Sequence, residues 1–203
     1  MAIANECSHF DFWTSMPMKT AHFTVRPSRS ARLLAACLFV CGLPLAAQQP
    51  VSNSVKTQRD AMRKLAFLAG HWSGPITIFR GPGEALHLNQ TEDVEYKLDG
   101  LVLLVEGKST SPDGKVEFNA LATITYDDAS HTYRIRAYND GHYLDTEFSV
   151  PTDGFSWSFQ AGTAHVVNTM HLTAKGEWNE VSDATVGTYP PHRSMEMLLQ
   201  HLP

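Results

Sequence analysis

An aspartate-glycine pair recurs at near-constant spacing through the middle of this chain: Asp99-Gly100, Asp113-Gly114, Asp140-Gly141 and Asp153-Gly154. Asp127-Asp128 stands where one more pair is due, so turn signals arrive every 13 or 14 residues. Glycine reaches positive φ without a steric penalty and aspartate bonds its own backbone, so each pair marks a tight turn. The intervals are rich in Val, Ile, Thr, Tyr and Phe, which suit a pleated surface. Hairpins of even length make an antiparallel meander, and a long meander must close or pack to hide its edges.

The period within the intervals agrees. From Val116 to Tyr126 the set Val116, Phe118, Ala120, Ala122, Ile124 and Tyr126 alternates with Glu117, Asn119, Thr123 and Thr125. That is the pattern of a strand with one buried face. Similar strands are expected near Trp72–Arg80, Leu86–Leu98, Leu101–Thr110, Thr132–Asn139, His142–Val150, Phe155–Gln160, Ala164–Thr173 and Glu177–Val186. The last segment, Ser194–Leu202, fits a closing strand, although Met195, Leu198 and Leu202 also match helical spacing. Ahead of the strands, Thr57–Leu68 has one apolar face and is stopped by Gly70, which predicts a short helix. Only Gly81–Ala85 and Thr188–Arg193 look like long connections. Greek-key sandwiches need more of those, so the expectation is all-β: an up-and-down barrel of about ten strands behind a short helix.

Residues 18–47 have the parts of a secretory signal peptide. Lys19, Arg26, Arg29 and Arg32 precede an apolar run, Leu33–Leu45, which leads into Ala46-Ala47-Gln48-Gln49. The run is too short for a permanent membrane span. Residues 1–17 carry Glu6 and Asp11 where such a peptide is basic, so they read as a mis-assigned extension upstream of a start at Met18. Cleavage after Ala47 leaves 48–55 as a polar leader and 56–203 as one domain in an exported, periplasmic or secreted, protein. Cys7, Cys37 and Cys41 all fall in the removed part, so the mature chain has neither a disulfide nor a thiol. Removal also takes four of the 16 Lys+Arg and two of the 21 Asp+Glu, leaving 12 against 19, a net charge of −7. With no basic cluster, nucleic acid and anionic membrane surfaces are not expected partners.

The junction Leu65-Ala66-Phe67-Leu68-Ala69-Gly70-His71-Trp72-Ser73-Gly74 follows an L-x-x-L-x-G-x-W-x-G pattern. Together with Trp178-Asn179-Glu180-Val181-Ser182 and Glu196-Met197-Leu198-Leu199, it resembles a bacterial exported family of unknown function. That family is related in architecture to nitrobindins and, more distantly, to lipocalin-type calycins. The resemblance covers roughly residues 60–202 and implies a barrel of about ten strands with a ligand cavity at most. Haem-binding nitrobindin-like proteins supply an axial histidine from near the C-terminus. Here that region offers only His192 and His201, outside a matching motif, so haem is not carried across and no cofactor is expected.

No nucleophile elbow, H-E-x-x-H, phosphate loop or cysteine metal site is present, and no catalytic or metal residue is assigned. His165 and His171, six apart on one strand, lie ~20 Å from each other, too far to share a metal. Arg134 and Arg136 suit an outer charged row against Asp145 or Glu147. Alternation instead points polar side chains inward: Gln90 and Glu92 on the second strand, Asn168 on the eighth, Glu180 and Ser182 on the ninth. A buried carboxylate costs several kcal/mol unless partnered, so Glu92 and Glu180 require a solvated barrel mouth, cross-strand partners or a ligand. Trp72, Trp157 and Trp178, with Phe148, Phe155 and Phe159, supply either core or pocket wall. The candidate lumen set is therefore Trp72, Gln90, Glu92, Trp157, Asn168, Trp178, Glu180 and Ser182. Its expected use is binding of a small apolar molecule without catalysis. The alternative is acid/base chemistry by Glu92 and Glu180.

Overall fold

A computed structural model describes residues 51–81 and 83–203. The stretches expected to be an upstream extension (1–17) and a signal peptide (18–47), the three cysteines and residues 48–50 lie outside the described residues. The chain forms one helix, α1 (Val51–Met62), a 3₁₀ segment Arg63–Leu68, and ten strands. These are β1 (Gly70–Gly81), β2 (Glu84–Lys97), β3 (Val102–Thr110), β4 (Val116–Asp127), β5 (Thr132–Asn139), β6 (His142–Ser149), β7 (Gly154–Ala161), β8 (Ala164–Leu172), β9 (Trp178–Val186) and β10 (His192–Leu202). Each strand pairs antiparallel with its sequence neighbours, and β10 returns to β1, closing the barrel. Closure removes both edges of the meander.

The hairpin chemistry follows the aspartate-glycine rhythm, with one exception. Asp140 (φ 46°) and Gly141 (φ 77°) form the two-residue connection of β5 and β6, where both positions need positive φ. Asp153-Gly154 works differently. Gly154 is the first residue of β7, and a Cβ there would sit 2.0 Å from the Met170 carbonyl oxygen, so that glycine permits close strand approach. The β1–β2 connection is shorter than expected, because β2 begins at Glu84. The closing segment is a strand: Met197 and Leu199 are buried while Leu198 and Leu202 are exposed, which is period two.

The helix begins at Val51, inside the stretch expected as a polar leader. Only its C-terminal end is anchored by apolar contact, through Met62, followed by Leu65 and Leu68 of the 3₁₀ segment, all fully buried. The change to 3₁₀ leaves helix carbonyls without intrahelical partners. Barrel side chains supply donors to two of them: Tyr133 Oη donates to Ala61 O (2.8 Å) and Tyr96 Oη to Met62 O (2.6 Å). In the other direction, Arg59 Nε of the helix donates to Asp99 O (2.7 Å), in the turn between β2 and β3. The helix and 3₁₀ segment thus cap the end of the barrel where β2, β4 and β10 finish.

The wall is not uniform. Most neighbouring strands run seven or more residues in register, but β6 and β7 pair only at Phe148–Trp157 and Ser149–Ser156. Beyond these, Thr146 Oγ1 donates to Ser158 O (2.9 Å) in place of a ladder bond. Backbone amides of residues 142–147 and 158–161 that face this seam should therefore exchange faster than those of β1 and β2. Hydrogen-exchange mass spectrometry checks this, and uniform protection across the ten strands would contradict it.

Candidate functional site

The inward faces of β1, β9 and β7 build an aromatic floor above the capped end. Trp72 is 3% exposed, and its Nε1 donates to Leu68 O (2.8 Å), the last residue of the 3₁₀ segment. Trp178 meets it edge-on at 5.6 Å and meets Phe155 at 5.7 Å, while Phe155 stacks on Phe148 at 4.9 Å. Such edge-to-face contacts add to the burial of the rings.

Above the floor lies a polar layer. Gln90, Glu92, Asn168, Glu180 and Ser182 are each between 2% and 8% exposed, which places them inside the lumen rather than at a solvated mouth. Each has a partner within the wall. Gln90 Nε2 donates to Glu92 Oε1 (2.6 Å), and Ser109 Oγ donates to Gln90 Oε1. Trp178 Nε1 donates to Glu180 Oε2 (2.9 Å), and Ser182 Oγ donates to Asn168 Oδ1. Ser194 Oγ donates to Ser182 O (3.1 Å).

Single hydrogen bonds do not offset the loss of water around a carboxylate. Burial pushes Glu92 up to about 8; the Gln90 bond opposes this, and the negative charges of Glu180 and Asp93 add to it. Burial likewise pushes Glu180 up to about 7 against the Trp178 bond. Although β10 and β1 lie between their strands, the two carboxyl groups belong to one electrostatic site. No lysine, arginine or histidine pairs with either among the described residues: the ion pairs Arg134–Asp145, Arg136–Asp145 and Arg193–Asp183 all lie on the outer wall.

The opposite wall is lined by small residues. Register carries Glu92 to Gly107, Gly107 to Ala120 and Ala120 to Asn139 across β2, β3, β4 and β5. The adjacent row is Val105, Ala122 and Ala137. A Cβ at Gly107 would come within 2.8 Å of both Glu92 carboxyl oxygens, so the carboxyl group lies over that glycine. Eight strands already give an interior just wide enough for side chains to fill; ten strands enclose more, and this wall contributes almost none. Among the described residues two buried side-chain polar atoms have no partner: Asn139 Oδ1, whose Nδ2 donates to Asn119 O (2.6 Å), and Asn168 Nδ2.

Trp157 stands apart from this layer. It stacks on Phe159 at 5.3 Å and is half-buried, and it also borders an open outer groove of about 450 Å³ with Tyr133, Phe148 and Val150. His165 and His171 are exposed, and no group of three metal-ligating side chains occurs among the described residues. His192 and His201 are also exposed, with His201 nearly perpendicular to Trp72 at the barrel end. Sequence reading missed Asn139, Ser109 and Ser194, although alternation continued through Ile135 and Ala137 would have reached Asn139.

The barrel is similar to a solved one. The crystal structure of Rv2717c from M. tuberculosis superposes with a TM-score of 0.54 at 11% identity, covering 70% of this chain and 98% of that one. Identity that low carries the fold alone. No family model matches the chain, and no curated protein matches it. The resemblance read from the motifs is therefore supported at the level of the barrel. Among the described residues no helix is long and apolar enough to cross a membrane.

Proposed function

We propose that this chain is an exported binding barrel that holds a small, largely apolar molecule in its lumen without catalysis. The observation that carries the reading is the small-residue wall of Gly107, Ala120, Ala122 and Ala137, set against buried polar atoms without partners. A core selected only for stability would fill that wall with larger side chains and satisfy those atoms. Aromatic floor, small-residue wall and a few convergent polar groups are the usual composition of a small-molecule pocket.

The test is native mass spectrometry and solvent extraction of protein purified from the exported fraction. The expected result is an N-terminus at Gln48 and a non-covalent adduct that solvent removes. Adduct-free protein that also fails to take up anilinonaphthalene sulfonate would overturn the reading.

One observation favours a second reading. Two carboxyl groups in one lumen, raised to about 8 and about 7, bracket the protonation states that general acid/base chemistry needs at neutral pH. The same extracts separate the two. Carriage gives a molecule of equal mass from the parent and from Glu92→Gln; catalysis gives a converted product from the parent only.

A further inference from the structure

We propose that the lumen molecule is a primary amine with an apolar body, its ammonium group seated over Ala120, between the Glu92 carboxyl and Asn139. This rests on the lumen-binding reading and narrows it to one chemical class.

Four strands form the seat. Glu92, Gly107, Ala120 and Asn139 occupy one register row, polar at its two ends and nearly bare between them. The Glu92 carboxyl lies over Gly107, toward the bare part. At the far end Asn139 Oδ1 is an acceptor with no donor, buried in a residue 5% exposed. The protein engages one oxygen of each carboxyl group, through Gln90 and through Trp178. Between Glu92 and Asn139 the unused groups are acceptors, and among the described residues no positive charge faces them. An ammonium group brings three N–H donors and one positive charge, and charge-assisted bonds to carboxylate are about twice as strong as neutral ones. A buried acidic pair without a counter-charge carries a desolvation cost that an incoming cation offsets.

Other head groups fit less well. At pH 8, where Glu180 and Glu92 ionise, a fatty-acid carboxylate would add a further negative group to the lumen. An alcohol would donate one hydrogen bond and leave both carboxyl groups without a counter-charge. The row Val105, Ala122 and Ala137 beside the seat offers the apolar surface for the body. Asn168 Nδ2, an unpartnered buried donor, faces the lumen from β8 and marks a place for a water or an acceptor on that body.

The experiment holds the tail constant and changes the head: octylamine, octanol and octanoate are titrated calorimetrically into purified protein stripped of bound molecules at pH 8. The amine should bind at least about tenfold more tightly than the alcohol, and the octanoate more weakly than either. In the Glu92→Gln/Glu180→Gln double variant, the amine preference should disappear while octanol binding persists, which also shows that the variant is folded with its lumen intact. Equal binding of all three heads, or preference for octanoate, would overturn the amine assignment and leave lumen binding standing. Binding of none of the three would overturn both. An amine preference that survives in the double variant would show that the carboxyl groups do not recognise the head, and would end the proposal.

Discussion

Trp72→Ala should lower the stability of the barrel by about 3–5 kcal/mol, the usual cost of truncating a fully buried large aromatic. The indole does three jobs at the capped end. It covers the floor of the lumen at 3% exposure, meets Trp178 edge-on, and donates to the last carbonyl of the 3₁₀ segment. Truncation removes the ring contacts and leaves Leu68 O without a donor in a buried position, where an unmade bond costs about 1–3 kcal/mol. A domain of this size has a total stability on the order of 5–15 kcal/mol, so the loss is a large share. Trp72→Phe separates the contributions: it retains an aromatic ring and loses the indole donor, and should recover more than half of the deficit. Urea denaturation measures both. A Trp72→Ala protein melting within a few degrees of the parent would mean that the floor does not depend on this residue.

Trp72 was legible in the sequence because it ends one period and begins another. The helical segment, which turns 3₁₀ after Met62, is over by Leu68; β1 starts at Gly70, and Ile76 and Ile78 continue the face of Trp72 at period two. The five inward polar residues were legible for the same reason: alternation assigns a face regardless of polarity, and Gln90 and Glu92 share theirs with Leu88 and Val94. What alternation cannot give is the direction a side chain takes within its face. That Glu92 leans over Gly107, and that Gln90 bonds Glu92, depend on strand tilt and register. The helix start at Val51 was hidden for a different reason. Its first two turns carry no apolar stripe, because anchoring comes from Met62, Leu65 and Leu68 at the other end and from tyrosines on β2 and β5. In β10 the two periods overlapped in sequence. Closure decided between them, since a helix there would have left β1 and β9 with unpaired edges.

Glu92→Gln should make the ligand-free protein more stable at pH 8, by several kcal/mol, with the gain shrinking to little at pH 4.5. The sign follows from where the proton resides. Glu92 has an ordinary value of 4.5 in the unfolded chain and about 8 in the barrel. Below 4.5 both states are protonated and the carboxyl group costs nothing differential. Between 4.5 and 8 the unfolded chain releases its proton while the native chain keeps it, so stability falls as pH rises, by up to about 1.4 kcal/mol per pH unit. Above 8 the native group ionises too, and the loss is complete. Glu180 adds a second decline over the narrower window from 4.5 to about 7. Among the described residues no cation shifts Glu92 the other way: Gln90 opposes the shift only partly, and Glu180 and Asp93 reinforce it. Glutamine keeps the shape and an acceptor for Gln90 Nε2 without any charge to bury, so the variant escapes the penalty. At about 2–4 °C per kcal/mol for a domain of this length, the two proteins should melt on the order of 10 °C apart at pH 8. Exposed pairs such as Arg136–Asp145 titrate alike in both proteins and cancel from the difference. A gap that stays constant from pH 4.5 to 8 would show Glu92 to be hydrated in the folded protein. A bound amine should reverse the order, because the parent would then gain from the charge that the variant lacks.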